Sequence, residues 1–212
     1  MIKKFKNYIY KNILTSKNSD KNIAFQKIKA KFDSLEEDTI CFQFGDDMVL
    51  IADKIINTIE RERERIKNKT GFILPLVRCI NNSELQENEI DVLINGKKTE
   101  ERFIIPKEEN LQEEITNIIN DLYEQHLSEI FSNELVEKYI EKARLNNYKT
   151  VTEVCYKLAA VEIKYILIDL LTHNKSIKNI SYLFEKISEK IYIYGSYEEN
   201  IEQFSEILVT SL

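Results

Sequence analysis

Apolar residues recur every three or four positions from residue 111 to the end of the chain, and this spacing predicts a series of amphipathic helices. Ser132 is the predicted N-cap of one helix, and Thr150 with Glu153 forms a capping box before a long helix. Ser176 is the predicted cap of a helix at 177–191, and 201–212 is predicted as a terminal helix. The side chains predicted to face inward are Val154, Leu158, Val161, Tyr165, Ile168 and Leu171, or neighbours, in the long helix, then Ile180, Leu183, Phe184 and Ile187.

Residues 39–106 carry a different pattern, in which short runs of β-branched and aromatic residues are separated by turn sequences. Strands are predicted at 39–44, 72–80, 89–96 and 102–106, with a helix at about 48–67 after the first strand. Pro75 falls inside the second run, which predicts an edge position or a bulge there. The sequence NGKK after the third run predicts a hairpin or loop turn.

The helix predicted near 48–67 has an apolar face and a charged end. Glu60 and Arg63, and likewise Glu62 and Arg65, have the i,i+3 spacing of ion pairs on a helix surface. Alternating glutamates cancel the field of the arginines, so this end is a weak candidate for binding nucleic acid. The predicted buried face consists of Met48, Ala52, Ile55, Ile59 and Ile66.

These elements together predict an α+β protein with N-terminal helices, a small ferredoxin-like βαββ unit and then a C-terminal helical bundle. The predicted domains are a basic helical arm at 1–38, a small α+β domain at 39–110 and a helical domain at 111–212. Only four glycines and two prolines occur in 212 residues, which favours long regular elements with few tight turns.

The charge of the chain is unevenly distributed. The net charge is −6, but residues 1–31 hold nine lysines and one aspartate, which gives +8 there and −14 over the rest. A basic arm on an acidic body indicates an anionic partner for the arm or docking of the arm onto the body. A solvated amphipathic helix explains the same pattern, and weak contact of 1–31 with a membrane surface or nucleic acid stays open as an alternative.

Residues with reactive or metal-binding side chains are few and scattered. Cys41, Cys79 and Cys155 are far apart and stand in apolar settings, which predicts reduced thiols rather than a disulfide framework or a metal site. His126 lies on an apolar helix face and His173 at a helix end, where structural roles are expected. All four glycines are isolated, so no phosphate-binding loop is predicted. We therefore expect no enzymatic activity and no cofactor, metal or catalytic site.

Membrane insertion and secretion are also not predicted. No segment approaches the length of about 18 consecutive apolar residues that a transmembrane helix needs. The first residues are basic but are followed by no continuous apolar region and no small-residue cleavage site, so they do not form a secretory signal. Together with the reduced thiols, this predicts a cytoplasmic location.

The segment GFILPLVRCINNSELQENEIDVLING, at 71–96, follows a charged helix and has a distinctive order of residues. It resembles the cytoplasmic region of the flagellar and type III secretion export-gate family, FHIPEP. That family has a helix, a glycine, apolar residues with a proline, an apolar-Arg-apolar strand, an asparagine turn and a second strand ending in glycine. The matching positions are Gly71, Pro75, Arg78, Asn82, Asn88 and Gly96, and the resemblance implies structural roles for them.

The chain departs from the family pattern in two respects. Family members have a membrane domain with several spans before this region, and they insert a small subdomain after the third strand. This chain has no such spans, and only residues 97–110 are available for the insertion. We therefore expect a reduced, stand-alone relative of the export-gate cytoplasmic region.

The resemblance implies a non-enzymatic cytosolic protein-interaction module that binds secretion components, substrates or chaperones. Because the family forms rings, the resemblance also implies self-association. The alternative is an orphan adaptor or regulator that has kept the fold and lost the secretion role.

Overall fold

The computed structural model describes residues 39–45, 48, 51–86, 88–104, 110–194 and 201–212, so the basic arm predicted for 1–38 lies outside the described residues. Within these residues the strands are β1 (Ile40–Phe44), β2 (Val77–Asn81), β3 (Glu89–Ile94) and β4 (Lys97–Ile104). The helices are α1 (Ala52–Thr70), α2 (Leu111–Gln125), α3 (Leu127–Ile130), α4 (Asn133–Lys157), α5 (Ala160–Thr172), α6 (Ile180–Tyr194) and α7 (Ile201–Ser211). The predicted α+β class, with a small sheet before a helical region, is confirmed.

The four strands form a mixed sheet in the order β2-β1-β3-β4. Strand β1 is parallel to β2, with α1 as the crossover between them, whereas β1–β3 and β3–β4 are antiparallel. The predicted hairpin turn joins β3 to β4, and its residues Asn95 and Gly96 have φ angles of 50° and 75°. Positive φ at both positions is typical of the type I′ turn that Asn-Gly favours. Residues 102–104 of the strand predicted at 102–106 form the end of the longer β4, and residues 105 and 106 lie outside the described residues.

One face of the sheet is buried against the helices. Its alternating core side chains are Ile40, Phe42 and Phe44 of β1 and Ile90, Val92 and Ile94 of β3. The same apolar core continues through the helices to α7. At its centre the ring of Phe72 lies 5.1 Å from that of Phe131 and 5.9 Å from that of Tyr123, measured between centroids. The sheet and the helices of the described residues therefore share one core.

Helix α1 starts four residues later than predicted, at Ala52, although Met48 is buried as expected. The buried face contains Ile55, Ile59 and Ile66. Both predicted i,i+3 ion pairs are present, Glu60 with Arg63 and Glu62 with Arg65. Glu62 is almost completely buried and also contacts Arg61, so this part of the charged end is not merely a solvated surface.

The capping box predicted at Thr150 and Glu153 is wrong. These residues lie inside α4, and the cap is three residues earlier at Asn147, whose Oδ1 accepts a hydrogen bond from the Thr150 N–H at 3.4 Å. Asn147 has a non-helical backbone (φ −147°, ψ 67°), which kinks α4. Side chains of Ser, Asn and Asp that bond to a nearby N–H favour such interruptions.

The long helix predicted from Thr150 to Leu171 is likewise interrupted. Leu158 and Ala159 have extended backbones, and α5 begins at Ala160 with the Glu162 carboxylate accepting from the Ala159 N–H at 2.6 Å. The break shifts the helical phase, and consequently Val161 and Tyr165 are exposed rather than inward-facing. Val154, Leu158 and Leu171 are buried as predicted, and Ile168 is partly buried against the core.

Of the two serines predicted as caps, only Ser132 has that role. Its Oγ accepts from the Leu135 N–H at 3.2 Å at the start of α4. Helix α6 begins at Ile180, and the side chain that accepts from its first turn is Asn179, bonded to the Tyr182 N–H at 3.2 Å. The cap predicted at Ser176 is therefore wrong. The inward face predicted for this helix is confirmed, because Ile180, Leu183, Phe184 and Ile187 are buried.

Candidate functional site

Gly71, the first motif residue, ends α1 at a point where only glycine fits. Its φ is 84°, and its N–H donates to the Lys67 carbonyl at 2.9 Å. A Cβ built on Gly71 would lie 2.5 Å from the backbone nitrogen and 2.7 Å from the Cα of Lys178. The chain before α6 therefore approaches this glycine too closely to admit any side chain.

The strand predicted at 72–80 is only partly correct, because β2 begins at Val77 and residues 71–76 belong to no strand. Side chains take the hydrogen bonds that a neighbouring strand would provide. The Tyr139 hydroxyl donates to the Gly71 carbonyl and accepts from the Ile73 N–H, both at 2.8 Å. Burial raises the pKa of Tyr139 to about 12, so the hydroxyl keeps its proton at neutral pH.

Arg63 binds the other end of the same stretch. Its guanidinium donates to the Leu74 carbonyl at 2.9 Å and to the Pro75 carbonyl at 3.1 Å, while Glu60 holds it from the other side at 2.7 Å. Pro75 thus precedes β2, where its missing N–H removes no ladder bond, instead of standing within a strand as predicted. The stretch from Thr70 to Pro75, called here the motif segment, is fixed to α1 and to α4.

A third attachment links the motif segment to the turn before α6. The Thr70 carbonyl accepts from the Ile177 N–H at 2.7 Å and from the Ser176 hydroxyl at 3.1 Å. Ser176 therefore contributes to holding the end of α1 against the turn before α6. The motif segment is thus attached to α1, to α4 and to the turn before α6.

The other motif residues lie apart from this junction. Arg78 is exposed on β2, and Asn88 is exposed in the turn before β3. The Asn82 amide donates to the Gln43 side chain at 2.8 Å, and its Oδ1 accepts from the Glu84 N–H at 3.0 Å. Gly96 is in the hairpin turn. The six motif residues are thus not gathered in one pocket, and a shared structural role for them stays a prediction.

The thiols and imidazoles have ordinary surroundings. Cys41 is buried and Cys79 and Cys155 are half-buried, all three as free thiols. Burial, reinforced by the neighbouring Cys41, raises the pKa of Cys79 to about 11; burial also raises the pKa of Cys155. His126 pairs with Glu129 and His173 with Asp169 at helix ends. Within the described residues, no group of three or more His, Cys, Asp or Glu could hold a metal ion.

An open groove lies between the second half of α4 and the end of α6. Its volume is about 590 Å³. Amide side chains hold the two helices side by side, with Asn146 donating to Ser181 Oγ at 3.2 Å and Asn147 donating to the Glu185 carboxylate at 2.9 Å. The groove is lined by Thr152, Glu153, Val154, Tyr156, Lys157, Ser188, Ile191 and Tyr192.

Two tyrosines dominate this groove. The exposed fractions of Tyr156 and Tyr192 are 88% and 91%, unusually high for side chains of this size. Tyrosine offers a rigid apolar ring with a polar tip at low conformational cost, a combination enriched in protein contact surfaces. The sequence analysis did not predict the groove. The signal that could have indicated it is that both tyrosines lie outside the apolar faces of their helices. We name this surface, defined by its eight lining residues, the α4–α6 groove.

No protein-family model and no curated protein matches the sequence. Solved structures do match. MxiA of Shigella flexneri is 19% identical with a TM-score of 0.60, and the match covers 82% of this chain and 64% of that one. CdsV of Chlamydia pneumoniae has been solved alone and in complex with CdsO, and in both cases it is 15% identical with a TM-score of 0.68. The match to the structure of CdsV alone covers 83% of this chain and 67% of that one. The nonameric EscV cytosolic domain of the type III secretion system is 13% identical with a TM-score of 0.62, covering 82% and 63%.

The chain therefore has the fold of the cytoplasmic domains of type III secretion export-gate proteins, FHIPEP. This confirms the resemblance that residues 71–96 indicated. At 19% identity and below, the likeness is one of fold, and the chain spans about two thirds of the length of the solved domains. None of the described helices is long and apolar enough to cross a membrane.

Proposed function

We propose that this chain is a non-enzymatic, cytoplasmic protein-interaction module that binds components of a protein-export apparatus. The observation that carries the proposal is the export-gate fold over more than four fifths of the chain. Among the proteins with this fold, CdsV is solved in complex with CdsO, and the EscV domain is solved as a nonamer. Both cases support contacts with other proteins, or with further copies of the chain, as the function.

The α4–α6 groove is the contact surface that we propose for this function. It combines two highly exposed tyrosine rings with apolar and charged lining residues. Aromatic side chains that exclude water at the centre of a contact commonly supply most of its binding free energy. The half-buried thiols have raised pKa values, so they offer no activated nucleophile that would favour an enzyme.

A second candidate function is that of an adaptor that has kept the fold and lost the role in export. The sequence observation that favours it is the short stretch at 97–110, where the family inserts a subdomain. The two functions predict different partners and the same kind of contact surface. Identification of the bound proteins therefore separates them.

The test is affinity purification of the tagged full-length chain from its own cells, followed by mass spectrometry. The variant Tyr156→Ala/Tyr192→Ala removes both exposed rings of the α4–α6 groove. Tyr165→Ala is the matched control, because Tyr165 is an exposed tyrosine on α5 that does not line the groove. A copy without residues 1–31 separates binding by the basic arm from binding by the folded part.

Recovery of export-gate proteins, export chaperones or exported substrates, lost in the groove variant and kept in the Tyr165 control, would support the proposed function. Recovery of unrelated proteins with the same dependence on the groove would favour the adaptor. Binding that requires only residues 1–31 would contradict both, because the partner would then be recognised outside the export-gate fold.

A further inference from the structure

Strand β2 is paired along one edge only within the described part of the sheet. It stands at the end of the strand order β2-β1-β3-β4, so β1 is its single neighbour there. In a parallel ladder, successive residues direct their N–H and C=O groups alternately toward the two edges of the strand. Half of the main-chain donors and acceptors of β2 therefore face away from β1.

The hydrogen bonds to β1 show which groups these are. Just after β2, the Asn82 N–H donates to the Phe44 carbonyl at 2.9 Å, so residue 82 faces β1. The register of the ladder is regular over the whole strand, and alternate residues before 82 therefore also face β1. Val77 and Cys79 have the opposite phase and direct both their N–H and their C=O groups away from β1. We call these two donors and two acceptors the open edge of β2.

The two edge strands of the sheet differ in their protection against further pairing. Natural sheets protect their edges with lysines, other charges and bulges. Strand β4 has these features: five of its eight residues are charged, two of them are lysines, and its pairing with β3 has a register shift between Asp91 and Leu93. Strand β2 has the sequence VRCIN, with one charge in five residues and no register shift against β1. The sheet is therefore protected at β4 and unprotected at β2.

Exposed apolar side chains flank the open edge. Leu76, directly before β2, is 75% exposed. Ile56 is 43% exposed and lies two turns before Arg63 on the same side of α1. From that side Arg63 reaches the carbonyls of Leu74 and Pro75, immediately before β2. A strand added along β2 therefore gains apolar contacts in addition to main-chain hydrogen bonds.

We propose that the open edge of β2 binds an extended segment of another protein as an added antiparallel strand. Antiparallel pairing is the more stable arrangement, and in it two residues of the segment each exchange a pair of hydrogen bonds with Val77 and Cys79. The side chains of these two residues lie on the α1 face of the sheet, where Val77 and Cys79 pack against the core, so apolar side chains fit there. The occupant is an extended chain with apolar residues at alternate positions. This surface is separate from the α4–α6 groove.

The probe is a synthetic acetylated peptide in which valine and threonine alternate over about six residues, followed by a short glycine-serine tail for solubility. Its valines are the residues expected to pair with Val77 and Cys79. N-methylation of the valines removes the N–H groups that donate to the open edge. N-methylation of the threonines removes N–H groups that face away from it, so this second peptide is the matched control for the first.

Amide hydrogen exchange of the full-length chain, followed by NMR with and without the peptide, is the measurement. Binding is expected to slow the exchange of the Val77 and Cys79 amides by about tenfold or more, because each amide gains a hydrogen-bond partner. The amides of Arg78 and Ile80 already face β1 and are expected to change less. The change is therefore specific to alternate residues of one strand.

Two substitutions in the chain test the same surface. Val77→Pro removes one outward N–H at the first residue of an edge strand, where proline is tolerated, and is expected to raise the peptide Kd by about tenfold. Leu76→Lys gives β2 the kind of protection that β4 has, and is expected to raise the Kd by about fivefold or more. Leu145→Lys is the matched control, because Leu145 is a leucine of α4 that is 86% exposed. Circular dichroism checks that each variant is folded.

Slower exchange at Val77 and Cys79 with the unmodified and the N-methyl-threonine peptides, but not with the N-methyl-valine peptide, would establish strand addition. The proposal is overturned if the peptide at millimolar concentration protects neither amide, or if N-methylation of the valines leaves binding unchanged. It is also overturned if both amides are already protected in the free chain, because the edge is then occupied. Tyr156→Ala/Tyr192→Ala is expected to leave peptide binding unchanged, so failure of strand addition and failure of the groove are observed separately.

Discussion

Replacing Gly71 by alanine tests whether the close approach of the turn before α6 is what demands glycine in the motif segment. Gly96 provides the matched control, because its φ of 75° is similar to the 84° of Gly71. The two sites differ in space: a Cβ on Gly96 meets nothing within 4 Å, whereas a Cβ on Gly71 meets the backbone of Lys178 at 2.5 Å.

The expected magnitudes follow from two separate contributions. A left-handed backbone destabilises an alanine by about 1–2 kcal/mol, and the reduced freedom of the unfolded chain offsets about 0.4–1 kcal/mol of this. Gly96→Ala is therefore expected to lower the free energy of unfolding by about 1 kcal/mol. At Gly71 the backbone of 177–178 must also move, and overpacking of this kind adds about 1–3 kcal/mol. We expect a total loss of about 2–4 kcal/mol for Gly71→Ala.

Thermal unfolding followed by far-ultraviolet circular dichroism measures the difference between the two variants. For a protein of this size 1 kcal/mol corresponds to about 2–4 °C in Tm, so Gly71→Ala is expected to lower Tm by about 5–15 °C and Gly96→Ala by about 1–5 °C. Urea titration provides an independent value of the free energy of unfolding.

Equal losses in the two variants would refute the reasoning. Such a result would mean that the left-handed backbone alone explains the glycine at both positions and that the chain before α6 moves away without resistance. A larger loss at Gly96 than at Gly71 would contradict the packing of the motif segment against 177–178 altogether.

Two further predictions concern side chains around the same junction. Tyr139→Phe leaves the Gly71 carbonyl and the Ile73 N–H without their partner, so urea titration is expected to show a loss of about 1–3 kcal/mol, and an unchanged stability would contradict the bridging role. At Glu62 burial raises the carboxyl pKa, but hydrogen bonds and charge from Arg65 and Arg61 outweigh it, and the net pKa is lowered. A lowered carboxyl pKa stabilises the folded chain at neutral pH, and this contribution is lost as the pH falls below about 5. The free energy of unfolding is therefore expected to fall less steeply with acid in Glu62→Gln than in the unaltered chain, and equal declines in urea titrations would refute this.

The elements that the sequence predicted well are those with local causes. Strand β1, strand β3 and the Asn-Gly turn after it follow from side-chain type and turn chemistry within a few residues. The inward face of α6 follows in the same way from its periodicity. Strong local signals of this kind agree with the fold. They identify the elements correctly even where the predicted first or last residue differs from the one in the structure.

The predictions that were wrong depend on partners distant in sequence. Residues 72–76 have the composition of a strand. The Ile73 N–H, however, donates its hydrogen bond to the hydroxyl of Tyr139, 66 residues further on, instead of to a neighbouring strand. The kink at Asn147 is likewise held by Glu185, 38 residues further on. No window along the sequence contains both members of these pairs, so periodicity favoured the regular element in each case.

The α4–α6 groove could not be predicted for a related reason. Tyr156 and Tyr192 belong to different helices, and their neighbourhood arises only when α4 and α6 pack side by side. The resemblance at 71–96 indicated the fold and implied structural roles for the motif residues. This groove lies elsewhere, on helices α4 and α6, so no motif residue lines it.

The residues that bind the motif segment lie at very different distances from it along the chain. They are therefore synthesised, and leave the ribosome, one after another. Arg63 is 11 residues from Leu74 and emerges before it, Tyr139 follows Gly71 after 68 residues, and Ser176 follows Thr70 after 106. At about 5–20 residues per second, the last of these partners reaches the ribosome surface about 5–20 s after Thr70. The partners of the motif segment thus become available to a nascent chain in three steps, first on its own helix α1, then on α4 and finally in the turn before α6.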